Sequence, residues 1–164
     1  MDENPIRPRL EARQSNERPH VLIVSDDPDL ADFLVEGLPL GGFWTSAIAN
    51  GLQALEVFRL RQFDLIVVDA GMRSFDALEF LRRLRGRSDL DRAGEPRSST
   101  PAVLIHDHRD EVAAEWDDGL GVAARLGPPL DLEDVVRTLH EVFEAWRRDY
   151  PDTPLADSAS LRAF

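Results

Sequence analysis

Three aspartates follow apolar segments that are the right length for buried strands. Asp26 and Asp27 come soon after VLIV (21–24), and Asp69 ends the segment DLIVVD (64–69). Because parallel strands end at a common edge of a sheet, carboxylates that follow neighbouring strands are expected to converge there. Clustered carboxylates repel one another unless a cation lies between them, and Mg²⁺ prefers such oxygen ligands. The spacing therefore predicts a divalent-cation site that contains Asp26 and Asp69.

Capping of the following helix is the competing role for acids at strand ends. Asp27 directly precedes Pro28, and an acid before a proline in the first turn is a routine helix start, so we assign Asp27 to capping. Asp69 follows a buried strand and precedes Ala70 and Gly71, whose small size leaves its carboxylate reachable. We therefore expect a chemical role for Asp69, with capping as the alternative.

The elements that must position these acids are visible from His20 onward as apolar segments that alternate with helical periodicity. The predicted strands cover 21–24, 43–49, 64–70, 101–107 and 122–127, and the helical segments lie near 30–38, 52–58, 78–84, 109–118 and 132–146. The last helix has a broad apolar stripe, and Asp131 can cap it. Continuous apolar strands alternating with amphipathic helices predict a doubly wound α/β domain with five parallel strands and five helices.

Composition limits the classes of function. The chain has 164 residues, no cysteine, a formal charge of −12 and 19 basic residues, every one of them arginine. The acidic balance argues against nucleic acid or an anionic membrane as a direct partner. No apolar segment is long enough to cross a bilayer and no secretory signal is present, so we expect a cytoplasmic protein. We expect a mobile arm at 1–19, one domain at 20–148 and a tail at 149–164.

From His20 to about Trp146 the chain resembles a response-regulator receiver domain. The resemblance rests on VLIVSDDPDL, ANGLQALEVF, FDLIVVDAGM with DALEFLRRLR, TPAVLIHD and RLGPPLDLEDVV, which occur in the family's order. It implies a flavodoxin-like sheet with strand order 2-1-3-4-5. It also implies that Asp69 is the position that accepts a phosphoryl group from a histidine kinase, with Mg²⁺ held by the acid pair.

Four of the family's site positions carry other residues here. Ser25 stands in place of one carboxylate of the acid pair, His106 in place of a hydroxyl residue, Arg125 in place of an aromatic residue and Pro128 in place of a lysine. Proline supplies neither a charge nor a backbone donor. Strand alternation directs Arg125 away from the face of position 128, so we do not expect it to replace the missing cation.

Metal binding has two alternative forms at such a site. Asp26, Asp69 and the backbone carbonyl of Gly71 are expected to hold Mg²⁺ weakly, because Ser25 has removed one negative charge. His106 is expected to pair structurally with Asp69 or Asp26, although as an imidazolium it would supply positive charge. The alternative is a transition-metal site in which His106 or His108 joins the carboxylates.

These substitutions favour an atypical single-domain response regulator that is not an enzyme. Its phosphorylation at Asp69 is expected to be reduced or absent, and its partners to be a histidine kinase or a downstream protein. Pairing with a second copy is expected through the fourth helix, fifth strand and fifth helix. No output domain is expected, and the segment 86–100 and the tails are either spacers or carriers of partner specificity.

Three alternatives remain open at this point. One is a conventional phospho-accepting receiver. Another is a Mg²⁺-dependent phosphohydrolase of the haloacid-dehalogenase type, which would need a second aspartate where Gly71 stands. The third, a dinucleotide or cobalamin domain, lacks both a G-x-G-x-x-G turn and a D-x-H-x-x-G segment.

Overall fold

The computed structural model describes residues 18–72, 77–88, 94, 96–107 and 119–155. Its elements, in chain order, are β1 (His20–Val24), α1 (Pro28–Gly37), a 3₁₀ helix (Leu38–Gly41), β2 (Trp44–Ile48), α2 (Gly51–Leu60), β3 (Leu65–Asp69), α3 (Ala77–Leu84), β4 (Ala102–Ile105), β5 (Val122–Leu126) and α4 (Leu132–Asp149). The helix predicted near 109–118 lies outside the described residues.

All five strands are parallel and lie in the order β2-β1-β3-β4-β5, as predicted. The register places Val24 of β1 beside Ile48 of β2 and Val68 of β3. The residues that follow, Ser25 on one strand and Asp69 on the other, therefore meet at the carboxyl edge of the sheet. The register between β1 and β3 is thus the feature that positions the site.

Helices cover both faces of the sheet, so successive residues of a strand belong to different core layers. Val21 and Ile23 pack in the layer that contains α1 and α4, whereas Leu22 and Val24 pack in the layer with α2 and α3. All four side chains are fully buried. This explains the continuous apolar strand that the sequence shows, since a strand covered on both faces needs apolar residues at every position.

Asx side chains start three of the described helices. Asp27 caps α1 by accepting from the backbone N–H groups of Asp29 and Leu30, and Asp131 caps α4 by accepting from Glu133 N. Asn50 caps α2 in the same way. The predicted capping roles of Asp27 and Asp131 are confirmed, whereas the Asn50 cap was not predicted.

Two large apolar residues in the helical segments predicted near 30–38 and 52–58 are exposed. Phe33 of α1 is 37% exposed and Leu52 of α2 is 49% exposed. Phe33 lies beside the buried Leu34, and Leu52 lies between the buried Gly51 and Ala54 in the first turn of α2. None of the described helices is long and apolar enough to span a bilayer.

Candidate functional site

A direct hydrogen bond joins Ser25 to Asp69 at the carboxyl edge of the sheet. The Ser25 hydroxyl donates to Asp69 Oδ2 at 2.7 Å. Ser25 is only 4% exposed, so this bond forms in a largely dry environment where a hydrogen bond is strong. The residue that replaces one carboxylate of the acid pair is therefore a hydrogen-bond donor to Asp69.

Ser25 also fixes the start of α1. Its Oγ accepts from Asp27 N at 3.1 Å, and its own N–H donates to Ile48 O at 3.1 Å. The Asp27 carboxylate is occupied as the helix cap, at 3.0 Å from Asp29 N. One serine thus links β2, the start of α1 and Asp69.

Asp69 is half-buried at the end of β3, and both of its carboxylate oxygens accept a hydrogen bond. Oδ2 accepts from Ser25, and Oδ1 accepts from Gly71 N at 2.8 Å. Each carboxylate oxygen has two lone pairs, so capacity remains for a cation or a proton donor. Gly71 presents its N–H to Asp69, and the role of its carbonyl as a metal ligand stays a prediction.

His106 has a different environment from the predicted one. Its Nδ1 lies 3.3 Å from Asp107 O, and its ring lies against Gly127, where an added Cβ would be 2.6 Å from Cε1. Among the described residues, the polar contact of the His106 ring is thus with Asp107 O and not with the expected Asp69 or Asp26. Gly127 has no side chain, and this leaves the room beside β5 that the imidazole occupies.

The side chain of Pro128 carries no charge, and the strand pattern does not direct Arg125 toward Asp69. Pro128 is half-buried in the turn after β5. Arg125 is opposite Leu104 in the sheet, and Leu104 belongs to the layer with α2 and α3. Its neighbour Leu126 packs in the other layer, so alternation places Arg125 on the α2 and α3 face.

Asp26 and Asp69 are the carboxylates at this edge that could hold Mg²⁺, and their role as metal ligands stays a prediction. Asp26 is exposed directly after Ser25, and Asp69 offers a carboxylate with spare lone pairs. Among the described residues, no three histidine, cysteine, aspartate or glutamate side chains are grouped for a metal ion. The predicted transition-metal site with His106 is thus not assembled there, and His108 lies outside the described part of the chain.

The Ser25–Asp69 hydrogen bond is the feature of the site that the sequence reasoning missed. From the sequence alone, Ser25 signals only the loss of one negative charge. The signal was nevertheless present, because both residues come directly after the last apolar residues of strands that are adjacent in the predicted order. A hydroxyl and a carboxylate at matching strand ends are placed to form a hydrogen bond.

A model of the response regulator receiver domain family matches residues 21–116. The chain belongs to this family. Receiver domains of this kind serve two-component signalling, in which they interact with histidine kinases and downstream effectors, and they generally bind Mg²⁺ at the phosphorylation site.

Curated relatives include transcriptional regulators that are longer than this chain. The probable transcriptional regulator ycf27 of Cyanidium caldarium is 33% identical over 82 residues, which are 50% of this chain and 33% of that protein. The response regulator MprA of Mycobacterium ulcerans is 28% identical over 143 residues, which are 86% of this chain and 56% of that protein. This chain therefore spans about a third to a half of the length of these relatives.

Solved structures share the fold of this chain. A sensor protein from Polaromonas sp. JS666 is 29% identical with a TM-score of 0.65, covering 78% of this chain and 98% of that one. The signal receiver domain of an HD domain-containing protein from Pseudomonas fluorescens Pf-5 has a TM-score of 0.68 at 18% identity, covering 84% of this chain and 95% of that one.

Proposed function

We propose that this chain is an atypical receiver that signals through protein contacts, is not an enzyme, and accepts a phosphoryl group at Asp69 poorly or not at all. The observation that carries the proposal is the 2.7 Å hydrogen bond from Ser25 to Asp69 Oδ2. The proposal includes a cytoplasmic location and a protein partner, such as a histidine kinase or a downstream effector. The formal charge of −12 supports a protein partner over nucleic acid.

Ser25 opposes phosphoryl transfer in two ways. A carboxylate oxygen that accepts a short hydrogen bond has less electron density to offer a phosphorus atom, so Asp69 becomes a weaker nucleophile. Ser25 is also neutral, so the edge attracts a divalent cation less strongly than a pair of carboxylates would. Phosphoryl transfer depends on positioning and on cations that stabilise the transferred oxygens, and the contribution of cations is reduced here.

The residues at positions 106 and 128 support the same conclusion. Pro128 cannot contribute a cation, and the chain has no lysine. The His106 ring lies against Gly127, and its described polar contact is with Asp107 O rather than with the Asp69 carboxylate. Charge on a transferred phosphoryl group would therefore lack the side-chain partners that the family positions supply.

A conventional phospho-accepting receiver is the second candidate function. Asp69 favours it, because this residue is retained at the end of β3 and is only half-buried. A phosphohydrolase gains no such support. That activity would need an aspartate at position 71, where Gly71 instead donates its backbone N–H to Asp69.

The test is an amide NMR titration with Mg²⁺, followed by beryllofluoride as a mimic of the phosphoryl group. We expect small Mg²⁺ shifts near Asp26 and Asp69 and no saturable response to beryllofluoride. Asp69→Asn, which keeps the side-chain shape, is the control for shifts that do not arise at this carboxylate. A saturable beryllofluoride response that Asp69→Asn abolishes would overturn the proposal and establish the conventional receiver.

A further inference from the structure

A polar recess of about 400 Å³ lies at the amino edge of the sheet, opposite to the edge that carries Asp69. It is formed by the segment before β3, the segment before β4, the end of α4 and the residues that follow this helix. Asp69 ends β3 and is about 13 Å from the start of that strand. No residue of β5 is among the described residues that line the recess. The recess is therefore separate from the Asp69 site and from the edge strand.

Two arginines give the recess positive charge. Arg61 comes directly after α2 and is half-buried, and Arg97 is exposed in the segment before β4. Asp64 is the only acid among the described lining residues, and its Oδ2 accepts the backbone N–H of His20 at 2.7 Å. The chain as a whole carries −12, but exposed charges more than about 8 Å away are largely screened at physiological salt. A small anion therefore meets a locally cationic wall in an acidic protein.

The guanidinium groups of these arginines have the chemistry to bind an oxyanion. A guanidinium has five N–H donors, and it binds a carboxylate or a phosphate group through two parallel hydrogen bonds. Burial lowers the pKa of Arg61, so part of the hydration of this cation is lost in the folded protein. An anion beside Arg61 would replace that lost hydration.

Aromatic side chains form the wall of the recess on the α4 side. Trp146 and Tyr150 stack with ring centroids 4.9 Å apart, and Tyr150 is 48% exposed. The indole Nε1 of Trp146 is buried and has no acceptor within the described part of the chain. A buried donor without a partner costs free energy, which an acceptor atom of a ligand would offset. The wall thus combines a flat apolar surface with an unpaired N–H donor.

We propose that the recess binds a small organic anion in which a flat apolar ring carries a phosphate or a carboxylate group. The ring packs on Tyr150 and Trp146, and the anionic group accepts hydrogen bonds from Arg61 and Arg97. The volume of the recess lies within the range of small-molecule sites, which is roughly 300–1,000 Å³. The proposal goes beyond the proposed function and does not depend on it, because Asp69 and the residues around it do not line the recess.

The probe is 1-naphthyl phosphate, added to the full chain and followed by amide NMR. Shifts at Asp64, Thr100 and the indole N–H of Trp146 report binding, and we expect them to saturate with a Kd of roughly 1 mM. Of three matched compounds, 1-naphthol lacks the charge, inorganic phosphate lacks the ring and 1-naphthylmethylamine reverses the charge. Each is expected to bind about tenfold more weakly. 1-Naphthoate carries a carboxylate instead, and the tighter of the two aromatic anions identifies the preferred anionic group.

Variants of the protein separate the contributions of charge and ring. Arg61→Gln and Arg97→Gln are each expected to weaken binding of 1-naphthyl phosphate by about threefold to tenfold. Arg59→Gln is the matched control, because Arg59 is exposed near the end of α2 but does not line the recess. Tyr150→Ala should weaken binding of the aromatic anion about threefold and leave that of inorganic phosphate unchanged. Asp69→Asn is expected to bind normally, so this assay is independent of phosphoryl acceptance.

Several results would overturn the ligand proposal. They include no saturable shift, equal binding of 1-naphthol, and an equal loss of affinity in Arg59→Gln and Arg97→Gln. Because Arg97 is exposed, this comparison holds even if Arg61→Gln destabilises the fold. Shifts that saturate at Gly71 and not at Asp64 would place the anion at the opposite edge of the sheet and also contradict the proposal.

Discussion

At the scale of single residues, the Asp69 carboxylate is stabilised by neutral donors. Ser25 Oγ and Gly71 N each donate one hydrogen bond to it. Where two carboxylates share a site, a cation must offset their repulsion, whereas a hydroxyl and a carboxylate attract each other without one. The geometry of this edge is therefore expected to be independent of Mg²⁺.

Ser25→Asp should make stability depend on Mg²⁺. Without metal, the new carboxylate faces Asp69 in a buried position, and we expect the free energy of unfolding to fall by about 1–3 kcal/mol. Mg²⁺ at ten times its Kd would return about 1.4 kcal/mol. Urea unfolding with EDTA and with Mg²⁺ measures both quantities.

Ser25→Ala is the control for this prediction, because it removes the hydrogen bond without adding charge. It should cost about 1 kcal/mol and show no more Mg²⁺ stabilisation than the wild type. Equal Mg²⁺ responses of the aspartate and alanine variants would show that position 25 does not contribute to a metal site.

His20 is a second residue with a strong local effect, at the opposite edge of the sheet. Burial, with a smaller contribution from the charge of Arg61, lowers the pKa of His20 from 6.5 to about 4. Its Nε2 lies 2.9 Å from Ser46 Oγ, and its backbone N–H donates to the Asp64 carboxylate at 2.7 Å. The folded protein therefore keeps this imidazole neutral at pH values where the unfolded chain protonates it.

Stability should consequently fall as the pH drops from 6.5 to about 4. In that interval the unfolded chain binds a proton that the folded chain does not, which costs roughly 3 kcal/mol in total. The contribution of His20 is complete above pH 6.5. His20→Gln cannot titrate, so its unfolding free energy should decline less in acid. Carboxylates titrate in both proteins, and parallel curves for the two would contradict the prediction.

At the scale of elements, a single half-buried arginine, Arg85, connects the end of α3 to the strands that follow. Arg85 donates to Leu120 O at 2.8 Å, Ser98 O at 2.7 Å and Thr100 O at 2.6 Å. Burial lowers the pKa of Arg85 to about 10, so the side chain remains charged at neutral pH. Gly121 is required beside Arg85, because its φ is +69 and an added Cβ would lie 2.7 Å from Arg85 Nη2. Gly119, two residues earlier, also has a positive φ of +71.

Arg85→Met should be strongly destabilising. It keeps a similar length of side chain but leaves three backbone carbonyls without this donor, and we expect a loss of about 2–4 kcal/mol in urea unfolding. Amide exchange at Ala102, whose N–H donates to Gly121 O, should accelerate more than exchange in β1. Arg82→Met on the same helix is the control and should cost less than about 0.5 kcal/mol. Similar losses in the two variants would show that the three hydrogen bonds are not responsible.

Elements whose signals are local could be predicted from the sequence, and contacts between distant segments could not. The Asp27–Pro28 pair identifies the start of α1 because the cap involves only the next three residues. The orientation of His106 depends on Gly127, a residue on another strand, so nothing near His106 in the sequence indicates it. The predicted strand order places Ser25 and Asp69 at matching strand ends, but their hydrogen bond also requires a register between β1 and β3 that strand order alone does not fix.

At the scale of the whole molecule, one sheet is shared by two core layers. Leu81 is fully buried in the layer with α2 and α3, and Leu139 is fully buried in the layer with α1 and α4. Adjacent residues of each central strand belong to different layers, as Val21 and Leu22 do. A strand cannot leave one layer and remain packed in the other.

The two layers should therefore unfold as one unit. Leu81→Ala and Leu139→Ala are each expected to lower the free energy of unfolding by about 2–5 kcal/mol, and exposed Leu60→Ala by less than about 0.5 kcal/mol. Far-UV circular dichroism and tryptophan fluorescence should give the same urea midpoint in every variant, with the slope m unchanged. If the layers were independent, Leu139→Ala would shift the fluorescence of Trp146 on α4 to a lower midpoint than the circular dichroism signal. Coincident midpoints are expected instead, because the strands that carry one layer carry the other as well.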